Sequence, residues 1–338
     1  MTRIRSIVLL LIAFVAAPLL AARGSADFTR FVVIGDSYGA GFESGSLNVN
    51  HQQYSWPSVI AKQAGSPDFQ QPLISFPGIG SELELVDVIH YPPTILPATG
   101  TATPLNLNLN RPYNNLSVPG ATVSDVITLT GKESPTSTSK LFGQIILRGL
   151  GTEVQQALAQ QPTFIAIWIG GNDALGAVLA GTPAALTSLD AFTTSYNAML
   201  DQLTAGAPNA GMVVGNIPDN VLALPFLTAV PSVLINPATQ QPVLVGGQPV
   251  PLIADLGGGN IGPLPAGSAV LLTAATKLGT GYGIPPQLAQ IPPFNQLPNA
   301  GQPLADTDVL TPTELATIKQ RVDDFNTVIQ QAASSRNI

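Results

Sequence analysis

The residues best suited to chemistry stand where apolar runs break. Ser37 lies in FVVIGDSYGAGF (31–42), Gly120 in NNLSVPGATVSDV (114–126), and Asn172 in TFIAIWIGGND (163–173). A hydroxyl between glycines at the end of a β-type run can be offered as a nucleophile. A glycine amide and a carboxamide can hold the oxyanion that develops when an acyl carbonyl is attacked. Each has a plainer role too: a serine after a strand caps a helix, Pro119-Gly120 makes a turn, and GGND starts a helix. Their joint placement favours the chemical reading, because acyl transfer needs a nucleophile and several donors aimed at one oxygen.

The elements that would bring them together alternate. FTRFVVIG reads as a first strand and WPSVIAKQAG as a helix ending at Gly65; residues 70 to 111, rich in Pro, Thr, Asn and Leu, read as ordered loop with a short hairpin. VQQALAQQ is helical and TFIAIWI a buried strand. SLDAFTTSYNAMLDQLTAG is helical, with Leu189, Phe192, Tyr196, Met199 and Leu203 on one face, and GMVVGNIPD is a further buried strand. Strands this continuously apolar, alternating with helices, predict a parallel sheet covered on both faces, with functional groups at the carboxyl ends of its strands. Ser37, Gly120 and Asn172 all fall at such ends.

Gly35-Asp36-Ser37-Tyr38-Gly39 also fits the nucleophile elbow G-x-S-x-G of the α/β-hydrolases, but that fold places several strands and an oxyanion loop ahead of its serine. Here the strand before Ser37 is the first, so the donors must come from later in the chain. The three segments resemble the conserved blocks of the SGNH, or GDSL, hydrolases, a family of esterases and lipases. GDSY resembles the first block, with Tyr38 where Leu is usual; NLSVPGATVSDV resembles the second and GGND the third. The resemblance implies a flavodoxin-like three-layer α/β/α fold. It implies Ser37 as nucleophile, with its own amide, the Gly120 amide and the Asn172 side chain as oxyanion hole, and an ester, small or lipid, as substrate.

The family draws its base from a D-x-x-H near the C-terminus, and this sequence departs from that pattern. Its two histidines are His51 and His90, and none follows. Asp87-Val88-Ile89-His90 spells D-x-x-H but lies in the excursion before the second strand, where a surface or hydrogen-bonded role is expected, with a long loop returning His90 to Ser37 as base the alternative. His51, in NHQQYSWP, is expected to cap or to lie at the surface, with a pocket-side donor as the alternative. Thr311-Pro312-Thr313-Glu314 is a capping box opening a helix with Leu315, Ile318, Val322, Phe325 and Ile329 in a stripe. Such a helix normally leads into another strand, so the reading expects a last strand, with its Asp and His, to be missing. Two function classes follow: a secreted ester hydrolase impaired as given, or a non-catalytic binding protein that retains the pocket.

Composition bounds the rest. The 338 residues are 45% hydrophobic and only 10% charged, enough for one large core, while glycine and proline supply 63 residues without a repeat. Residues 1–26 read as a secretory signal, with Arg3 and Arg5 before an apolar run broken by Pro18. Its removal takes three arginines and no acid, moving the net charge from −7 to −10; an acidic chain disfavours nucleic acid and anionic membranes as partners. The absence of cysteine excludes disulfides, thiol chemistry and a lipidated cysteine. No metal or cofactor is expected, and oligomeric state is not legible. The mature chain, 27–338, is expected to be a single domain with long insertions at about 66–112 and 217–311; the second lies on the catalytic rim, where plain packing is expected and an apolar cover over the site is the alternative.

Overall fold

The computed structural model describes residues 26–87, 89, 94–218 and 222–338. The first 25 residues, on which most of the signal-peptide reading falls, and His90 lie outside the described residues.

Three parallel strands form the sheet: β1 (Phe31–Gly35), then β4 (Phe164–Trp168), then β5 (Gly211–Val214). On its other side β1 is joined, also in parallel, by the segment around Asn115. The Val33 amide donates to the Asn114 carbonyl, and the amides of Leu116 and Val118 donate to Val33 and Gly35. Ser37, the Pro119-Gly120 turn and Asn172 therefore leave the sheet at the same end. The hairpin expected in the first excursion is β2 (Leu83–Asp87) with β3 (Thr94–Pro97).

Alternation along the strands builds the layers. Val32, Ile34, Ile165 and Ile167 point to one face, where they join Phe192, Tyr196, Met199 and Leu203 of α5 (Leu189–Gly206) and Val322, Phe325 and Ile329 of α6 (Pro312–Ser334). The expected stripes are the buried ones, and Phe325 stacks on Phe192 with ring centroids 3.9 Å apart. Leu189, at the start of α5, is the exception and is partly exposed. The capping box at Thr311 and Glu314 forms as the spacing requires.

Phe31, Val33 and Ala166 point the other way, onto α2 (Trp56–Ala64). This helix is short, which corrects the expectation of a sheet buried on both faces. Toward β5 the second face opens into an apolar groove of about 310 Å³ lined by Phe28, Trp56, Phe164, Trp168 and Val213. The strand GMVVG, expected to be buried, is an edge on which Val213 is half exposed.

The long C-terminal insertion has an apolar cluster of its own, including Leu234, Leu252, Ala254, Val270, Phe294 and Leu304, wrapped by three small antiparallel pairs. It is tied to the main body where Leu271 and Leu310 meet Ala177 and Val178 of α4 (Gly171–Ala180) and Ile318 of α6. Among the described residues no helix is long and apolar enough to cross a membrane.

Phe325 carries the joint between α5 and α6 at the centre of the larger core. Phe325→Ala is expected to destabilise the fold by about 3 to 5 kcal/mol, the usual range for an aromatic cavity in a core, measured by urea denaturation. A loss under about 1 kcal/mol would mean that the two helices do not depend on this stack.

Candidate active site

β1 is followed at once by α1 (Ser37–Ala40), a single turn. Asp36 is its cap: the side-chain Oδ1 accepts the Tyr38 amide at 3.0 Å. Ser37 is thus the first helical residue, not the cap. Its amide has no carbonyl to reach within the helix, and it donates to no acceptor among the described residues. The turn must also pass under the neighbouring segment, where a Cβ on Gly39 would collide with the side chain of Ser117. Only glycine fits there.

Ser37 and Asn172 line one cavity of about 180 Å³, together with Asp36, Tyr38, Phe42, Gly171, Leu175, Ile217 and Leu224. Ile217 and Leu224 come from the start of the C-terminal insertion, which therefore contributes to the rim. Asn172 is the second residue of α4, and its Nδ2 donates to the Ala121 carbonyl at 2.8 Å. One of its two N–H bonds is spent on that anchor. The other remains available.

Gly120 does not line this cavity itself but is tied to it through the Ala121–Asn172 bond. Its φ of +82° is the left-handed backbone that suits glycine, and its amide has no acceptor among the described residues. The sequence expectation thus brings Ser37, Asn172 and the Gly120 turn to one rim, with two backbone amides and one carboxamide N–H left undonated.

The proton acceptor is another matter. The Ser37 hydroxyl makes no hydrogen bond with any described residue. His51 is not near it: its Nδ1 lies 2.9 Å from Glu43 Oε2, and its Nε2 lies 3.1 Å from Glu82 Oε2, within ion-pair reach but not aligned for a hydrogen bond. The side chain is partly buried between the two carboxylates, and it does not line the cavity around Ser37. Among the described residues no group of His, Asp or Glu is placed to hold a metal ion.

What sequence reasoning missed is a layer of buried carboxyls under the rim. Burial is the main cause that raises Asp36 to about 7, with the Asp173 charge adding to it and the Tyr38 amide opposing. Burial likewise raises Asp173 to about 6, although its carboxylate accepts the Val123 amide at 3.0 Å. Glu153 is pushed well above the carboxylate range by burial, against the Gly35 amide, which donates to it. Nothing in GDSY, GGND or GTEV betrays this, because the burial comes from segments far apart in sequence.

The fold agrees with what the chain is similar to. The model of the GDSL-like lipases and acylhydrolases matches residues 31–245, most of the chain. The chain belongs to that family. Its resemblance to GDSL hydrolases is therefore shown, and with it the α/β/α fold built on a parallel sheet. Among solved structures it is similar to a Clostridium thermocellum family 3 carbohydrate esterase, at 17% identity and a TM-score of 0.27, over 57% of this chain and 65% of that one. The chain thus spans under two thirds of that enzyme's length. No protein of curated function matches it significantly.

The raised carboxyls make a pH prediction. Asp36 keeps its proton in the folded chain up to about 7, whereas its ordinary value is 3.8, so between those values the native state binds more protons than the unfolded one. Stability from this group is therefore full below 3.8 and falls as pH rises toward 7. Asp36→Asn keeps a capping oxygen and removes the titration. In urea denaturation across that window the variant should gain on the wild type as pH rises; parallel curves would contradict the assignment.

Proposed function

We propose that the chain is a secreted carboxylic ester hydrolase in which Ser37 is the nucleophile. Its own amide, the Gly120 amide and the Asn172 side chain form the oxyanion hole. Family membership makes it an acylhydrolase by descent; the residue roles are this proposal. The observation that carries it is the set of undonated N–H groups that leave the sheet at the same end as the Ser37 hydroxyl. Donors fixed before reaction need no reorganisation when the carbonyl oxygen gains charge, which is why such holes matter.

In this reading the ester carbonyl carbon takes the Ser37 oxygen and its oxygen swings into the hole. The alcohol leaves, and water later releases the acid. Phe42, Leu175, Ile217 and Leu224 around the serine favour an acyl chain over a sugar. Export follows from the basic and apolar first 26 residues, cleaved after Ala26, to leave a soluble protein with no stable membrane anchor.

The weak point of the machinery is the proton. A serine hydroxyl is a poor nucleophile near neutral pH unless a base takes its hydrogen. With His51 committed to Glu43 and Glu82, no histidine among the described residues takes it. Turnover should therefore be small, on the order of 10³ to 10⁴ over water, the level that an oxyanion hole and binding sustain without a base. The same observation supports a second reading, a binding protein that keeps the pocket and does no chemistry.

Hydrolysis of p-nitrophenyl acetate separates the two. The esterase reading expects an acetyl adduct on Ser37, read by mass spectrometry and abolished in Ser37→Ala, and release that falls about 100-fold in Asn172→Ala, the loss of one donor worth ~3 kcal/mol. No adduct on Ser37, with p-nitrophenol release the same in Ser37→Ala, would leave the binding protein.

A further inference from the structure

The end of β1 contains a substitution in its hydrogen-bond ladder. Along the segment beside it the rungs run in order: Val33 amide to Asn114 carbonyl, Leu116 amide to Val33 carbonyl, Val118 amide to Gly35 carbonyl. A regular parallel ladder would also have the Gly35 amide donate to the Leu116 carbonyl, between the last two of these. Instead the Gly35 amide donates to Glu153 Oε2 at 3.0 Å. A side chain 118 residues away stands where a backbone carbonyl would be.

Glu153 is placed for this by its own local chemistry. It is the first residue of α3 (Glu153–Ala159), fixed there by the capping box of Thr152 and Gln155. Its side chain is 1% exposed and lies beside Val154 and Ala157 of the core. An ordinary acid in the first turn of a helix faces water and interacts with the helix end. This one faces inward, under the residue that precedes Asp36 and Ser37.

The consequence is mechanical. Past the Val118–Gly35 bond the two segments separate, β1 turning into α1 and its neighbour into the Pro119-Gly120 turn. A buried amide left without an acceptor there would cost enough to pull the strands back together or to draw in water. We propose that Glu153 is a positioning residue for the nucleophile: by accepting the Gly35 amide in place of a carbonyl of the neighbouring segment, it completes the end of β1 beside the Val118–Gly35 bond and fixes the height of Ser37 against the oxyanion donors. It does this as a neutral carboxylic acid, whose carbonyl oxygen is the acceptor. Asp36 and Asp125 lie close enough that a second negative charge beside them is disfavoured, in keeping with the direction in which burial moves Glu153.

Neutrality makes the inference testable with two substitutions. Glu153→Gln preserves a carbonyl acceptor without a charge, whereas Glu153→Leu keeps the volume and removes the acceptor. The inference rests on Ser37 as nucleophile, so its test has one arm that needs turnover and one that does not. In p-nitrophenyl acetate hydrolysis, Glu153→Leu should lower kcat by about tenfold or more with KM little changed, since misplacing a reacting group costs rate rather than binding. Glu153→Gln should match the wild type in both constants from pH 6 to 8.

The second arm is amide hydrogen exchange at Gly35, followed by NMR on the folded chain. Protection should be equal in the wild type and Glu153→Gln and lost in Glu153→Leu. A Glu153→Gln variant that loses kcat or Gly35 protection would overturn the proposal, since a carboxylate and not a neutral acceptor would then be needed. So would a folded Glu153→Leu variant with unchanged kcat or unchanged protection. Should Ser37 prove inert in the wild type, the esterase reading fails, and Gly35 exchange in the Gln variant still decides the role of Glu153. The Gln variant also covers the case in which Glu153→Leu does not fold.

Discussion

Where β1 stops, its last amide, the cap of α1 and the first free N–H of that helix follow one another within three residues. Each needs a different partner. Gly35 finds Glu153, Tyr38 finds Asp36, and Ser37 finds none. The orphan donors at a helix start are usually covered by a cap or by water. Here the cap covers the Tyr38 amide and leaves the Ser37 amide beside the Ser37 hydroxyl. The geometry of the rim depends on that allocation, because a buried donor that lost its acceptor would rearrange the turn around it.

The same allocation explains why acids accumulate beneath an apolar sheet. Each buried carboxyl accepts a backbone N–H: Asp36 from Tyr38, Asp173 from Val123, Glu153 from Gly35. Full ionisation of all three in so little space would be costly, and burial moves each toward its neutral form. Asp173 also ties α4 to the segment after Gly120, and Asn172 makes a parallel tie to Ala121. Adjacent residues of GGND thus fasten the Gly120 turn to the helix that carries the carboxamide.

Much of this was legible in the sequence, for local reasons. FVVIG and FIAIW declare strands by continuous apolar residues, α6 announces itself by Thr311, Pro312 and Glu314, and the Phe192, Tyr196, Met199 and Leu203 stripe follows from a 3.6-residue period. The rim residues were legible because each sits in a polar break after an apolar segment. Glu153 was not: in GTEVQQ it reads as an acid in a first turn, and only a partner 118 residues distant gives it meaning. The open groove beside β5 was not legible either, since an apolar strand reports that something should cover it and not whether a helix does. The insertion after Ile217 was expected, but its own core was not, because that core gathers scattered residues such as Leu234, Leu252 and Phe294 from proline-rich stretches without a period. His51 illustrates the same limit, its partners Glu43 and Glu82 arriving from a two-residue strand and a distant loop.

The central claim is geometric: the Ser37 amide, the Gly120 amide and the free Asn172 N–H converge on one oxygen attached to Ser37. A crystal structure after reaction with a p-nitrophenyl alkylphosphonate tests it most directly, because the phosphonyl oxygen mimics the oxyanion. The account predicts a bond from Ser37 Oγ to phosphorus and the phosphonyl oxygen at roughly 2.7 to 3.1 Å from all three nitrogens. An adduct whose oxygen points to solvent, or phosphorus on another residue with Ser37 untouched, would contradict it.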